Sequence, residues 1–250
     1  MRQAQGLTLI RSNNVKGISL LLLILVFSST PAYAGLADVM KGWGGAQKGG
    51  PDEGTTASGL KEALSIGTEK AVNSVSRTDG YFGNQAIKIL MPDTIQKVGN
   101  VLRKVGYQKQ VDEFVLSMNR AAEKAAPKAA SFFVDAIKEM TFEDARKILG
   151  GGDTAATEFF KQKTHDKLYG AFKPVVSSSM DEVGCTRSYK EMMGKYESVP
   201  FMDKQSLDLD HYVTNKALDG LFYMVGQEEK KIRTDPAARA TDLLKTVFGK

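Results

Sequence analysis

The chain has 250 residues, 34 of them basic and 29 acidic, and its length allows one large domain or two small ones with a buried core. Three of the basic residues, Arg2, Arg11 and Lys16, lie near the N-terminus, and elsewhere charges of both signs alternate along the chain. The concentrated basic surface that is typical of nucleic-acid-binding proteins is therefore not expected.

The first 34 residues are typical of a secretory signal peptide. A basic opening is followed by the apolar run ISLLLLILVF at residues 18–27 and then by PAYA at 31–34. The small residues of that last motif predict cleavage between Ala34 and Gly35. An uncleaved membrane anchor is the alternative, but it needs about 20 apolar residues in a row, and this run is shorter. We therefore expect a periplasmic protein that keeps no transmembrane anchor after cleavage.

Residues 35–56 are rich in glycine and have no apolar periodicity, which predicts a flexible leader. From residue 57 to 249 the spacing of apolar residues is helical and predicts one helical domain. Ser58 is the expected N-cap of its first helix. Six residues of that helix share one apolar face: Leu60, Ala63, Leu64, Gly67, Ala71 and Val75.

The next apolar run, NQAIKILMP at residues 84–92, fits either a strand or a helical turn. We favour the helical turn, because Pro92 suits the first turn of a following helix. Gly106 is expected to end that second helix.

The longest predicted element spans residues 107–140 and has Pro127 in its middle. Proline lacks an N–H group and collides with the carbonyl four residues earlier, here that of Glu123, so a kink or a break is expected. Asn119 and Glu123 lie at the edge of the alanine-rich face. They could line an internal polar pocket or make structural hydrogen bonds between helices, and the sequence leaves both possibilities open.

Residues 144–160, DARKILGGGDTAATEFF, place Gly150, Gly151 and Gly152 between two helical patterns. A glycine-rich turn before a helix can hold phosphate, but the lysine of a P-loop is missing, and Asp153 would put a negative charge at the anion position. We expect a tight helix reversal instead. Gly150 is expected to adopt the left-handed conformation, and Asp153 or Thr154 to cap the second helix.

The helix after this turn is expected to bend or split near Gly170 and Pro174. A shorter helix follows, with Cys185 near its start as a small structural residue rather than a reactive thiol. The last helix is expected to begin at Pro236, with Asp235 as its N-cap.

A second long helix, over residues 207–233, carries His211, Glu229 and Arg233. Glu229 falls on the apolar stripe, where an unpaired carboxylate is costly, and Arg233 four residues later is its expected partner. His211 lies on the same stripe and is interpreted as a hydrogen-bonded core residue. Asn119, Glu123, His211, Glu229 and Arg233 are thus the candidates for a polar pocket.

Metal and cofactor sites are not predicted. His165 and His211 are the two histidines of the chain, and with one cysteine they form no ligand spacing typical of a transition-metal site. Motifs of nucleophilic or metal-assisted catalysis are not recognised either.

Five stretches share the pattern of one family. They are GLKEALSIGTEKAV, DGYFGNQAIKILMP, NRAAEKAAPKA (119–129), MTFEDARKILGGGDTAATEFF (140–160) and LDGLFYMVGQEEKKIRTDPAARATDLLKTVFG (218–249). Over residues 57–249 the chain resembles an uncharacterised bacterial exported family, domain of unknown function 4197. The resemblance implies an exported, mostly helical, single-domain protein. It implies no activity and no catalytic residues.

Together these patterns predict an all-α, single-domain bundle of seven to eight helices, two of them long. For function we favour a non-catalytic binding or scaffold protein of the cell envelope, with an envelope protein as partner. The first alternative is a carrier of an apolar or amphipathic, lipid-like small molecule. The second is a hydrolase with Glu229, Glu123 or Asp144 as general base, which would require a raised pKa.

Overall fold

The computed structural model describes residues 52–198 and 208–249. The predicted signal peptide, its cleavage site at Ala34 and Gly35, and most of the predicted leader lie outside the described residues. The α-helices are α1 (Glu53–Ser76), α2 (Asp93–Lys104), α3 (Gln108–Ala125), α4 (Ala129–Glu139), α5 (Phe142–Leu149), α6 (Ala155–Glu182), α7 (Cys185–Glu197), α8 (Leu209–Thr234) and α9 (Asp242–Phe248). Because the described ranges contain helices and no strand, the predicted all-α single-domain class is confirmed.

The centre of the bundle is built by aromatic side chains from three helices. Phe133 of α4 lies with its ring 5.4 Å from Phe160 of α6 and 6.1 Å from Phe222 of α8. All three are buried. Ala156 of α6 contacts Glu229 near the end of α8, and Tyr169 contacts His211 near its start, so α6 and α8 run antiparallel.

The apolar stripe predicted for α1 is buried at all six positions. The helix begins earlier than predicted, however, because Asp52 rather than Ser58 is its N-cap. The Asp52 carboxylate accepts from the Thr55 N–H at 2.7 Å. Residues 53–56 therefore belong to α1 and not to a flexible leader.

The α1–α2 loop, residues 77–92, corrects the prediction of a helical turn running into α2. Over residues 84–92 one turn is present, in which the N–H groups of Ile87 and Lys88 donate to the Asn84 carbonyl. The chain then leaves the helical conformation, since a residue before proline is pushed towards extended backbone. Pro92 itself lies at the N-cap position of α2. At the other end of α2, Gly106 has a φ of +93°, and its neighbour Tyr107 donates to the Leu102 carbonyl, which closes the helix as predicted.

Pro127 breaks the long predicted helix as expected. A 3-10 turn, Ala126–Lys128, separates α3 from α4. Pro174, by contrast, lies inside a continuous α6, so the helix does not split there. Leu168, Phe172 and Val176 are fully buried around this site, and their packing holds the helix together.

The last predicted helix is in fact two elements. Asp235 caps a 3-10 turn, Pro236–Ala238, by accepting from the Ala237 N–H. α9 begins only at Asp242, where the Thr241 hydroxyl accepts from the Leu244 N–H.

The turn between α5 and α6 reverses the chain, but its glycines do not act as predicted. Gly150 has a φ of −80° and a ψ of −5°, which is the ordinary right-handed conformation. Gly151 is the crowded position, because a Cβ atom there would lie 2.5 Å from the Ala155 Cβ and 3.1 Å from the Lys147 carbonyl oxygen. The need for glycine therefore comes from close packing at Gly151 rather than from backbone strain at Gly150.

These two neighbouring glycines should respond differently to the same substitution. Gly151→Ala is expected to lower the free energy of unfolding by about 1–2 kcal/mol, since its Cβ has no room. Gly150→Ala should change it by about 0.5 kcal/mol or less. Urea unfolding followed by circular dichroism measures both variants, and equal midpoints for them would contradict this account of the turn.

Candidate functional site

The five polar residues predicted for one pocket lie in three separate places. Glu229 and Arg233 form a buried ion pair between α5, α6 and α8. Asn119 and Glu123 of α3 contact the α1–α2 loop. His211 lies at the surface beside α6.

The Glu229 carboxylate caps the N-terminus of α6. It accepts from the Ala156 N–H at 2.9 Å and from both the N–H and the hydroxyl of Thr157 at 2.8 Å. Thr154 occupies the N-cap position of α6, but its side chain makes no capping hydrogen bond. The cap predicted for Asp153 or Thr154 is therefore supplied by a residue from another helix, about 70 positions later.

Arg233 neutralises this carboxylate with two hydrogen bonds, from Nε at 3.0 Å and from Nη2 at 2.9 Å. The same Nη2 donates to the Ile148 carbonyl at the end of α5, at 2.8 Å. The side chains of Glu229 and Arg233 are only 5% and 13% exposed. A cavity of about 20 Å³ beside them has space for a water molecule but not for an acyl chain.

This arrangement shows which anion lies at the helix N-terminus that follows the glycine-rich turn. A helix N-terminus attracts an anion because its first N–H groups are free and the helix dipole is positive there. Here the anion is the Glu229 carboxylate. The N–H groups of Ala156 and Thr157 are therefore occupied by the protein itself.

The α1–α2 loop is held by polar side chains of α3. The Glu123 carboxylate accepts from the N–H groups of Tyr81 and Phe82 at 3.1 and 3.2 Å. Arg120 bridges Glu123 and Asp79, with 2.7 Å to each carboxylate. Asp79 has a φ of +63°, an uncommon conformation for a residue other than glycine, and these contacts hold it.

A second set of contacts fixes the part of the loop that follows. Asn119 accepts from the Ile89 N–H and donates to the Ile89 carbonyl, at 2.8 Å in each case. From α8, the Tyr212 hydroxyl donates to the Leu90 carbonyl at 3.0 Å. Tyr81 is fully buried, and its hydroxyl donates to the Ala217 carbonyl at 2.6 Å. Burial, reinforced by the nearby Glu123 charge, raises the pKa of Tyr81 far above its ordinary value, so this donor stays protonated.

Leu90 nevertheless remains 57% exposed at the crest of this loop. One open groove, of about 540 Å³, lies between the loop and α8, and we call it the α8 groove. On its α8 side it is lined by Tyr212, Gly220 and Tyr223. Another, of about 500 Å³, lies between the loop, α2 and α3. Leu90 lines both. Tyr223, which is 46% exposed, gives the α8 groove a second accessible apolar surface.

Residues 50–249 match the model of a family described as protein of unknown function, DUF4197. The chain belongs to this family. The match confirms the resemblance drawn from the five sequence stretches. Searches of curated proteins and of solved structures give no match. Membership of DUF4197 supports the predicted domain but assigns no functional residues. A candidate site is therefore assigned from the geometry of the structure.

His211 corrects another prediction about this DUF4197 domain. It is exposed, because the buried side of the first turn of α8 is carried by Leu209 and Val213. The His211 Nδ1 lies 2.7 Å from the Tyr169 hydroxyl, at the surface between α6 and α8. The other histidine, His165, is partly buried with its ring stacked on Phe222. In the described ranges no cluster of three or more His, Cys, Asp or Glu side chains is placed to hold a metal ion.

Leu90, Tyr212 and Tyr223 were missed by the sequence interpretation. The sequence carries little signal for the loop, because Leu90 is apolar like its neighbours Ile89 and Met91 and only the structure shows that it alone of the three is exposed. The role of Tyr212 had no such signal. Its partner is 122 residues away in the sequence.

Loss of the Glu229 cap should be costly. Glu229→Ala is expected to lower the free energy of unfolding by about 3–5 kcal/mol, because it leaves a buried arginine unpaired and two N–H groups without an acceptor. Asp153→Ala on the same turn removes an exposed carboxylate 3.7 Å from Lys230 and should cost about 0.5 kcal/mol or less. Chemical unfolding compares the two variants, and a small effect of Glu229→Ala would show that the carboxylate is dispensable as a cap.

Cys185 is expected to be inert in the folded protein. Its side chain is fully buried, and burial raises the pKa of the thiol to about 11. At pH 8 the thiolate fraction is then on the order of one in a thousand, and access is blocked as well. A disulfide reagent such as dithiobis(nitrobenzoic acid) should label Cys185 at once in guanidinium chloride and only slowly in buffer. Complete labelling of the folded protein within seconds would contradict this assignment.

Proposed function

We propose that this DUF4197 protein is exported to the periplasm and acts there as a non-catalytic binding protein of the cell envelope, with the α1–α2 loop as its binding surface. The proposal rests on how this loop is held and on which of its side chains is exposed. Its backbone is held by side chains from two helices, and yet Leu90 at its crest is left exposed between two grooves.

A rigid loop with an exposed apolar side chain is suited to binding. Loops held on a rigid scaffold are where binding residues concentrate, and a loop that is already ordered loses little entropy when a partner binds. Four polar side chains, those of Asn119, Arg120, Glu123 and Tyr212, hold the loop. These four side chains fix the conformation of the backbone that carries Leu90.

Export is supported by the signal-peptide pattern of the first 34 residues. Among the described helices, none combines the length and the apolar character needed to cross a membrane. Edman sequencing of the protein purified from the periplasmic fraction should begin at Gly35. A protein that starts at Met1 or fractionates with the cytoplasm would refute this part of the proposal.

The carrier and hydrolase alternatives remain predictions, and the geometry favours them less. The carrier alternative is disfavoured at the Glu229–Arg233 pair, because the cavity beside it holds about one water molecule. The three candidate general bases already act in the structure: Glu229 as a cap, Glu123 as a loop anchor and Asp144 in the capping box of α5. Hydrogen bonds from the Thr141 backbone and hydroxyl lower the pKa of Asp144, whereas a general base near neutrality needs it raised.

The binding role is tested by replacing Leu90 with a charge. Purification of the full-length product from chemically crosslinked envelopes should enrich an envelope protein, and Leu90→Asp should reduce its recovery at least tenfold. Phe142→Asp is the matched control, because Phe142 is 63% exposed but lies on α5, away from the loop. Thermal unfolding should show that both variants fold.

Two results would count against the binding role. One is the absence of an enriched partner. The other is equal recovery with the parent protein and with Leu90→Asp.

A further inference from the structure

We propose that the α8 groove binds an extended polypeptide segment, whose backbone carbonyl accepts a hydrogen bond from the Leu90 N–H. This inference rests on the proposed binding function and adds the chemistry of the partner. It follows from the conformation of two residues, Ile89 and Leu90.

The Asn119 carboxamide acts on Ile89 as a neighbouring β-strand would. It accepts from the N–H and donates to the carbonyl of the same residue, at 2.8 Å each. A single amide group can do both only when the N–H and the C=O of Ile89 point to the same side. That is the geometry of an extended chain, as in a hydrogen-bonded pair of an antiparallel sheet.

Leu90 therefore directs its backbone groups to the opposite side, towards α8. The hydrogen bond from Tyr212 to the Leu90 carbonyl shows this direction. Within residues 52–198 and 208–249, the Leu90 N–H has no acceptor. The loop thus presents a short strand edge, with one side bound by α3 and a free donor on the other.

The groove beside this donor has the size and the lining of a peptide site. Its volume of about 540 Å³ lies in the range of ligand-binding clefts, and Leu90, Tyr212 and Tyr223 provide apolar and aromatic contacts. An extended peptide on a strand edge uses its backbone for affinity and its alternate side chains for specificity.

The charges of the groove favour a segment without large net charge. Lys88 and Lys216 are balanced by Asp93 and Asp219. Nucleic acid and anionic lipid surfaces are recognised by an excess of basic residues, which this groove does not have. A polypeptide satisfies the donor and the mixed polar and apolar lining without requiring such an excess.

The test uses a phage-displayed library of random dodecapeptides selected on the protein purified from cells that produce the full chain. We expect selected peptides, made synthetically, to bind with dissociation constants in the micromolar range. Leu90→Ala should weaken binding about tenfold, since it removes a contact of about 1.4 kcal/mol. The control Phe142→Ala should leave the affinity unchanged.

An ester in place of the amide between Ile89 and Leu90, introduced by nonsense suppression with leucic acid, isolates the hydrogen bond. It keeps the leucine side chain and replaces the N–H by oxygen, and it also makes the Ile89 carbonyl a weaker acceptor for Asn119. The expected loss of affinity is about two- to twelvefold, corresponding to a net hydrogen bond of about 0.5–1.5 kcal/mol. The melting temperature should fall only slightly, because the N–H has no partner within the described part of the chain and the Asn119 bond to the Ile89 carbonyl is weakened rather than lost.

The proposal is overturned if no peptide is selected, or if selected peptides bind equally well to the parent, to Leu90→Ala and to the ester protein. Binding to phosphatidylethanolamine vesicles that depends on Leu90, without peptide binding, would assign the groove to lipid instead. A dimer that Leu90→Ala dissociates, again without peptide binding, would assign it to a second copy. In each of these cases an envelope partner lost in Leu90→Asp would still support the binding function itself.

Discussion

The packing of three helices depends on one buried carboxylate. Glu229 lies on the apolar side of α8, where a bare charge would cost several kcal/mol. Its cost is offset by the α6 N-terminus and by Arg233, which in turn binds the last turn of α5. The α5–α6 turn can be short and rich in glycine because the cap of α6 comes from α8. These contacts place the C-terminal part of α8 at the start of α6, which is consistent with the antiparallel arrangement of the two helices.

The α3 helix uses buried polar residues in a similar way. Asn119 and Glu123 both bind backbone groups of the α1–α2 loop, and Arg120 completes the set with Asp79. A buried polar group is costly unless it is bonded, so these residues hold the loop in one conformation. The chain thereby exposes Leu90 at a defined place without a strand or a disulfide to support it. The α1–α2 loop is the best candidate for function because its conformation is fixed and Leu90 is exposed on it. A binding role of this kind requires no reactive side chain.

The correct and the incorrect sequence predictions divide along a physical line. The stripe of α1, the break at Pro127, the end of α2 at Gly106 and the pairing of Glu229 with Arg233 all depend on residues close together in the sequence. The left-handed Gly150, the cap from Asp153 or Thr154, the buried His211 and the split at Pro174 failed. The α6 cap failed because Glu229, about 70 positions later, supplies it. At His211 and Pro174 the burial of α8 and α6 in the bundle decided the outcome, and at the glycine turn the close contact lies at Gly151 instead.

The sequence by itself determined the helical class, the positions of most helices and the residues that fill the core. It could do so because helical spacing, proline and glycine act over a few residues. Only the tertiary structure decided which distant backbone groups the buried polar residues bind and which apolar residues stay exposed. Asn119 and Ile89 are 30 positions apart, Tyr212 and Leu90 122, and no local rule relates such pairs. A hydrogen bond depends on distance in space, and that distance is set only when the helices pack.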